Sequence, residues 1–364
     1  MLISELETPA VVVDLDVMER NLSRMADYCN RHQLLLRPHT KSHKIPELAK
    51  RQLASGATGI TVAKLGEAEV MLESGITDML IAYPIVGEAK SERLARMATH
   101  ANLSVSLDSE AAARGISAAA TREGSTIGVL VEMNVGFDRC GLNNETALVT
   151  LAQQIVDLPG IEFRGLMFFP GHFSVGPSQR TTLRTQVNEF LERAIEAFAR
   201  AGIPLPVISG GSTPTAHESD LFRGVNEIRP GMYIFNDRNT VAIEAASLSD
   251  CALSVIVTVV STAVPKRAIV DGGSKTFSSD QFQGARGSGY GLVKEDPGIE
   301  VVRLTEEHGH LNIQRAERRP NVGDRLHIIP NHVCTTVNLH EEIYGVRGEE
   351  VEEVWRVAGR GKVR

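Results

Sequence analysis

No apolar run in this chain of 364 residues approaches the roughly 20 residues needed to span a bilayer. The net charge of -7 is spread without any block of lysine and arginine, which argues against nucleic acid as a partner. Four cysteines, Cys29, Cys140, Cys251 and Cys334, lie far apart and show no paired spacing. That pattern fits reduced thiols rather than a disulfide framework. The opening stretch MLISELETPA has neither the basic start nor the apolar core of a secretion signal. These absences lead to the expectation of a cytoplasmic protein with no membrane or nucleic-acid partner. What is present is the composition of an ordinary globular protein, long enough for two domains or one large barrel with an addition.

Between Pro9 and about Thr240, strand-like runs alternate with helix-patterned stretches. The strand candidates are Leu34–Pro38, Ile60–Ala63, Met79–Tyr83, Leu103–Leu107, Ile127–Met133, Phe163–Phe169, Val207–Ser209 and Glu227–Phe235. Stretches such as Val17–His32, Gly66–Ser74, Glu92–Ala101 and Arg184–Ala201 carry apolar residues at helical spacing with charges on the other face. Eight such units predict a (β/α)8 TIM-type barrel, an α/β fold. The alternative, an open doubly wound sheet, often carries a Gly-x-Gly-x-x-Gly turn that is missing after the first strand. Beyond about Val241 the texture changes to short β-branched runs at Ala252–Val260, Ala268–Val270, Glu300–Leu304, Arg325–Ile329 and Val351–Val357. Those runs predict a C-terminal β domain, with Thr276–Gly291 as a surface loop.

Lys41 ends the first strand candidate within Arg37-Pro38-His39-Thr40-Lys41-Ser42-His43-Lys44, where a barrel places its active site. A lysine that loses its proton attacks a carbonyl, which is how pyridoxal phosphate (PLP) is held. On an extended segment His39 and His43 would share a side with Lys41 and could orient it or shuttle protons. Gly210, Gly211, Ser212 and Thr213 follow the seventh strand candidate, where barrels often bind phosphate on backbone N–H groups. Arg229-Pro230-Gly231-Met232-Tyr233 would complete that cup. Near the fifth strand, Glu132, Asn134, Arg139 and Cys140 gather, and the Arg139 guanidinium suits a substrate carboxylate. In the C-terminal part, His332-Val333-Cys334 would aim an imidazole and a thiolate the same way if it were a strand. That pair suits zinc or another divalent transition ion with open positions. Glu306-Glu307-His308-Gly309-His310 would supply second-shell groups, or is an exposed acidic loop.

At these motifs the chain resembles the D-threonine aldolase and D-serine dehydratase family, fold-type III PLP enzymes related to alanine racemase. The resemblance is carried by Thr8–Asp14, Arg37–Lys44, Val62–Ala68, Gly231–Asp237, Glu307–Gly309 and Pro330–Cys334, and runs nearly end to end. It implies a PLP-binding barrel over 13–243, with a β domain formed from 1–12 and 244–364, and a homodimer. Lys41 would bind PLP, with His43 assisting it. Gly210, Gly211, Ser212, Thr213 and Tyr233 would lie at the phosphate, and Arg139 is taken as a further cofactor-site residue. His332 and Cys334 would hold a divalent metal, Zn2+ or Mn2+, with Glu306 at the family's second-shell acidic position. The resemblance leaves the partner of the pyridine nitrogen unassigned.

It implies a small-molecule D-amino acid substrate and two possible outcomes on D-3-hydroxy amino acids. One is Cα–Cβ cleavage to glycine and an aldehyde, and the other is dehydration to a 2-oxo acid and ammonia. Overall motif likeness favours the aldolase. Cys334 favours a D-serine or D-3-hydroxyaspartate dehydratase, since aldolase members often place aspartate there. Phe168–His172 matches neither pattern. A racemase needs an acid-base partner and no metal. A single-barrel PLP-binding protein would lack the β domain, and a metal hydrolase would leave Lys41 and the glycine loop without a role.

Overall fold

The computed structural model describes residues 1–284 and 287–364, and it divides into two compact units. One comprises 24–41, 46–231 and 362–364; the other comprises 1–23, 42–45 and 232–361.

The first unit is the barrel. Its strands are Leu35–Leu36, Ile60–Val62, Asp78–Ile81, Asn102–Leu107, Ile127–Met133, Ile161–Phe168, Val207–Gly210 and Glu227–Ile228. From the second strand on, each pairs in parallel with the next, and the last pairs in parallel with the first. A parallel bridge between His39 and Thr61 joins the first strand unit to the second and completes the ring. The helices between them include Pro46–Ala54, Leu65–Glu73, Glu88–Ala98, Glu110–Glu123, Glu145–Val156 and Pro177–Arg200. Strand residues such as Val129, Val131 and Leu166 are fully buried together with helix residues such as Ala113, Ile116, Leu148 and Leu191. This sandwiching of an apolar sheet by amphipathic helices is what the alternating pattern encoded.

The first and eighth strands differ from expectation. The first holds regular pairing only over Leu35–Leu36, because Pro38 lacks an N–H and Thr40–Ser42 curl into a 3-10 turn. The eighth ends at Ile228 rather than Phe235, since Pro230 breaks the ladder and Met232–Ile234 form a second 3-10 turn.

The second unit is built on a nine-stranded sheet. Leu253–Ser261 pairs with both Arg267–Val270 and Arg325–Ile329. With Leu292–Val293, Glu300–Leu304 and Gly309–Asn312 these strands close an antiparallel ring. The N-terminal strand Ala10–Asp14 adds to Leu253–Ser261 in antiparallel register and to Glu342–Arg347 in parallel register, and Glu350–Arg356 completes the sheet. The strands Gly309–Asn312 and Glu342–Arg347 were not legible in the sequence. Thr276–Gly291 is not simply a loop: Ser274–Phe277 is a helical turn, and Phe282–Gly284 pairs with Gly287–Gly289. Ala285 and Arg286, within that expected loop, lie outside the described residues. Among the described residues no helix is long and apolar enough to cross a membrane, and none of the four cysteines forms a disulfide.

Gly165 sits in the sixth barrel strand at a φ of +132°, beside the register shift of that strand against the fifth. A Cβ there would run into the Val207 carbonyl oxygen of the seventh strand. Gly165→Ala is expected to destabilise the fold by about 1–3 kcal/mol, read as an earlier midpoint in urea or thermal unfolding.

Candidate functional site

Lys41 lies in the Thr40–Ser42 turn, just past the point where the first strand unit bridges Thr61. The Lys41 N–H points at His39 Nδ1 at 3.5 Å, so His39 braces the turn. Burial pushes the His39 imidazole well below its ordinary pKa, and the positive charges of Lys41, Arg229 and Arg139 push the same way. The ring is therefore neutral at physiological pH. Lys41 Nζ stands 5.9 Å from the centroid of Phe169, and the Arg139 guanidinium lies 4.3 Å from the same ring. Arg139 also faces the buried Glu132 at 3.6 Å. Burial raises the Glu132 pKa, while Arg139 and Arg229 oppose that rise. Lysine, arginine, glutamate and an aromatic wall thus gather at the C-terminal ends of the barrel strands.

His43 is not Lys41's neighbour on an extended face, as the sequence suggested, because the 3-10 turn intervenes. It is fully buried, accepts the Ile45 N–H on Nδ1 at 3.0 Å and packs edge-on against Phe235. It belongs with the second unit, as does Tyr233, which is buried in the Met232–Ile234 turn.

The glycine loop ends the seventh strand. A Cβ on Gly210 would strike the Phe168 ring, and Gly211 holds a φ of +83°. Both positions therefore need glycine for the backbone to run where it does. Thr213–Leu221 then begins a 3-10 helix with Ser212 before it. Thr213 Oγ1 accepts the Gly231 N–H at 3.3 Å. The Ser212 hydroxyl is buried and has no hydrogen-bond partner among the described residues. A buried hydroxyl without a partner is rare and costs on the order of 1–3 kcal/mol unless a ligand satisfies it. A glycine loop with a spare donor beside a helical N-terminus fits a phosphate.

Arg229, expected in the segment that completes the phosphate cup, is buried. Its guanidinium donates to Ser209 Oγ and to the Phe168 carbonyl. Ser209 in turn donates to Glu227, which also receives Arg37. Burial pulls the Arg229 pKa down to about 10 against the pull of Glu227 and Glu132.

In the second unit, His332-Val333-Cys334 is not a strand. His332 is the N-cap of helix Val333–Leu339, and Cys334 lies in its first turn. The two side chains meet nonetheless, since His332 hydrogen bonds Cys334. Asp237, fully buried, lies 3.2 Å from His332 Nδ1 and accepts the Val333 N–H with the same oxygen. Burial alone would lower the His332 pKa, but Cys334 and Asp237 outweigh it and raise it to about 11. Cys334 Sγ is 3.5 Å from the Ser42 hydroxyl. A carboxylate on Nδ1 leaves Nε2 for a metal, the usual arrangement behind a ligating histidine. Imidazole with thiolate is a donor set that fits a zinc-like ion. Among the described residues no group of three or more His, Cys, Asp or Glu converges on one point, so the protein offers a pair and open positions. Asp237 escaped the sequence reading, although it closes the Gly231–Asp237 motif. Glu306 and Glu307 are exposed and paired with Lys275.

The family model for the alanine racemase N-terminal domain matches residues 13–239, and the model for a putative serine dehydratase domain matches residues 252–346. The chain is 35% identical over 366 residues to a D-threonine aldolase from Arthrobacter sp., covering 99% of this chain and 94% of that one. It is similar to the crystal structure of D-threonine aldolase from Filomicrobium marinum, with a TM-score of 0.94 and 34% identity over 100% of this chain and 99% of that one. A D-threo-3-hydroxyaspartate dehydratase mutant in a metal-free form matches with a TM-score of 0.89 and 31% identity, covering 98% of each chain. The chain belongs to the D-threonine aldolase and D-serine dehydratase family of PLP-dependent lyases.

Proposed function

We propose that the chain is a PLP- and divalent-metal-dependent lyase of D-3-hydroxy amino acids, of the D-threonine aldolase type, releasing glycine and an aldehyde. The observation that carries this reading is the barrel mouth, where Lys41 follows the first strand and a glycine loop with an unsatisfied Ser212 hydroxyl follows the seventh. In this reading Lys41 Nζ holds PLP, and Gly210, Gly211, Ser212 and Thr213, together with Tyr233, take its phosphate. Bound there, PLP supplies an electron sink for the pair released when a bond to Cα breaks. Arg139, its guanidinium 4.3 Å from the centre of the Phe169 ring, receives a substrate carboxylate through two parallel N–H groups. Phe169 walls one side of the Lys41 amine at 5.9 Å. Neutral His39 fixes the Lys41 backbone without adding a like charge beside it. His43, locked by the Ile45 N–H, steadies the backbone that leaves the Thr40–Ser42 turn.

His332 and Cys334 are the proposed holders of a Zn2+ or Mn2+ ion, with Asp237 fixing the imidazole. The metal's chemistry is that of a Lewis acid toward a hydroxyl oxygen. A dehydratase outcome, giving a 2-oxo acid and ammonia, is the second reading; Cys334 in the pair favours it. The reading includes a cytoplasmic location, which the four free cysteines support, and a homodimer, which rests on the family resemblance alone.

Lys41→Ala should abolish the visible absorbance band that the purified protein shows with PLP; a band that persists removes Lys41 from its role. Asp237→Asn keeps the cap on helix Arg238–Ala242, because asparagine caps as well as aspartate. It should weaken metal binding about 10–100-fold in a competitive chelator titration. Unchanged affinity would mean that Asp237 does not tune His332 as a ligand. With D-threonine the expected products are glycine and acetaldehyde, separable by chromatography from 2-oxobutyrate and ammonia, which would decide for the dehydratase.

A further inference from the structure

Cys334 and Asn338 stand one turn apart on helix Val333–Leu339, so both side chains leave the same face. Each meets a residue of the short segment 42–45, which belongs to the same compact unit. Cys334 Sγ lies 3.5 Å from the Ser42 hydroxyl, and the Lys44 ammonium donates to Asn338 Oδ1 at 2.7 Å. The helix face and the segment therefore meet at two matched points. Lys44 is held further by its carbonyl, which accepts the Gly359 N–H at 2.9 Å. Its φ of +58° falls in a region that residues other than glycine seldom enter, and these contacts keep it there. Ser42 thus faces the sulfur from a clamped stretch of backbone.

The Ser42 residue is fully buried. A hydroxyl has one proton to give and lone pairs to receive, and its rotation settles which it uses. Toward a Cys334 thiol it accepts the S–H. A thiolate has no proton, so the same contact survives only if the hydroxyl turns and donates to sulfur. Such a charge-assisted bond is roughly twice as strong as a neutral one. The hydroxyls nearest to Cys334 in sequence are engaged elsewhere. Thr335 donates to Asp280 Oδ2 at 2.6 Å, and Thr336 to the His332 carbonyl at 3.1 Å. Asp237 already fixes the other member of the pair, His332. The imidazole has its outer partner, and Ser42 holds the corresponding place for the sulfur.

We infer that Ser42 is a positioning residue of the metal centre, its hydroxyl donating to the Cys334 thiolate when the pair holds a divalent ion. This rests on the reading of His332 and Cys334 as the metal-holding pair. A hydrogen bond to a ligating sulfur draws charge off it, steadies the anion and restrains the direction of its lone pairs. The residue that follows Lys41 in the chain thereby serves the metal rather than PLP.

Cobalt gives a readout that needs no turnover. A thiolate bound to Co2+ shows a sulfur-to-metal charge-transfer band, and zinc, with its filled d shell, shows none in that range. The cobalt-minus-zinc difference spectrum of the PLP-loaded protein isolates the band. In Ser42→Ala it should move to longer wavelength, because a sulfur without its hydrogen bond gives up electrons more readily. Zn2+ affinity in a competitive chelator titration should fall about tenfold or more. Ser42→Thr keeps a hydroxyl on the same carbon and should hold both close to the parent values. A band unmoved by Ser42→Ala, or moved equally by both substitutions, overturns the inference and leaves the metal pair standing. A parent protein without such a band removes Cys334 from the metal, and overturns the inference together with that part of the lyase reading.

Discussion

The barrel depends on how the segment from Leu34 to His39 closes the ring. Only Leu35 and Leu36 form regular strand, yet the hydrogen bonds continue past them on both sides. Leu35, Arg37 and His39 donate to the carbonyls of Asn226, Ile228 and Pro230, while Thr58 and Thr61 donate to Leu36 and Pro38. Backbone groups buried in a barrel must find partners, and here one short stretch satisfies both neighbouring strands. The chain then turns at Thr40–Ser42 because Thr40 Oγ1 is bound to the Thr61 carbonyl. Lys41 is held where it is by that closure, not by contacts of its own side chain.

The charges inside the barrel follow from the same closure. Arg37 is clamped by Glu227 and Asp78, and burial, which would lower its pKa, is outweighed by those carboxylates. Glu227 continues through Ser209 to Arg229. The half-buried Arg37 and the buried Arg229 form one connected chain with their anionic partners, since an isolated charge at the depth of Arg229 would be far too costly. Burial, with Lys41, Arg229 and Arg139 pushing the same way, keeps His39 neutral, and those cations suit a site for phosphate and carboxylates.

Much of this was legible in the sequence. Lys41 at a strand end, the glycine loop and the change of texture after Val241 are local features, and local pattern is what a sequence carries plainly. His332 and Cys334 were identified as a pair on a wrong premise. Two residues apart on a strand share a face, but His332 is a helix cap, and the pair meets because the first turn of the helix folds back toward its cap. The strand Gly309–Asn312 was passed over because its histidine, glycine and asparagine residues hide a strand whose partners lie far away in the chain. Asp237 was passed over because a capping aspartate reads as local punctuation, and its role toward His332 spans 95 positions of sequence.

The order of strands and helices, the residue types at the strand ends and the absence of a membrane-length apolar run were determined by the sequence itself, because each depends on neighbours within a few residues. The tertiary structure decided which of those residues share a site. It separated His43 from the side of Lys41, set Lys41 and Arg139 over one phenylalanine ring and put a buried carboxylate behind His332. Such placements arise from barrel closure and from the pairing of buried charges, interactions between residues distant in sequence that no local pattern encodes.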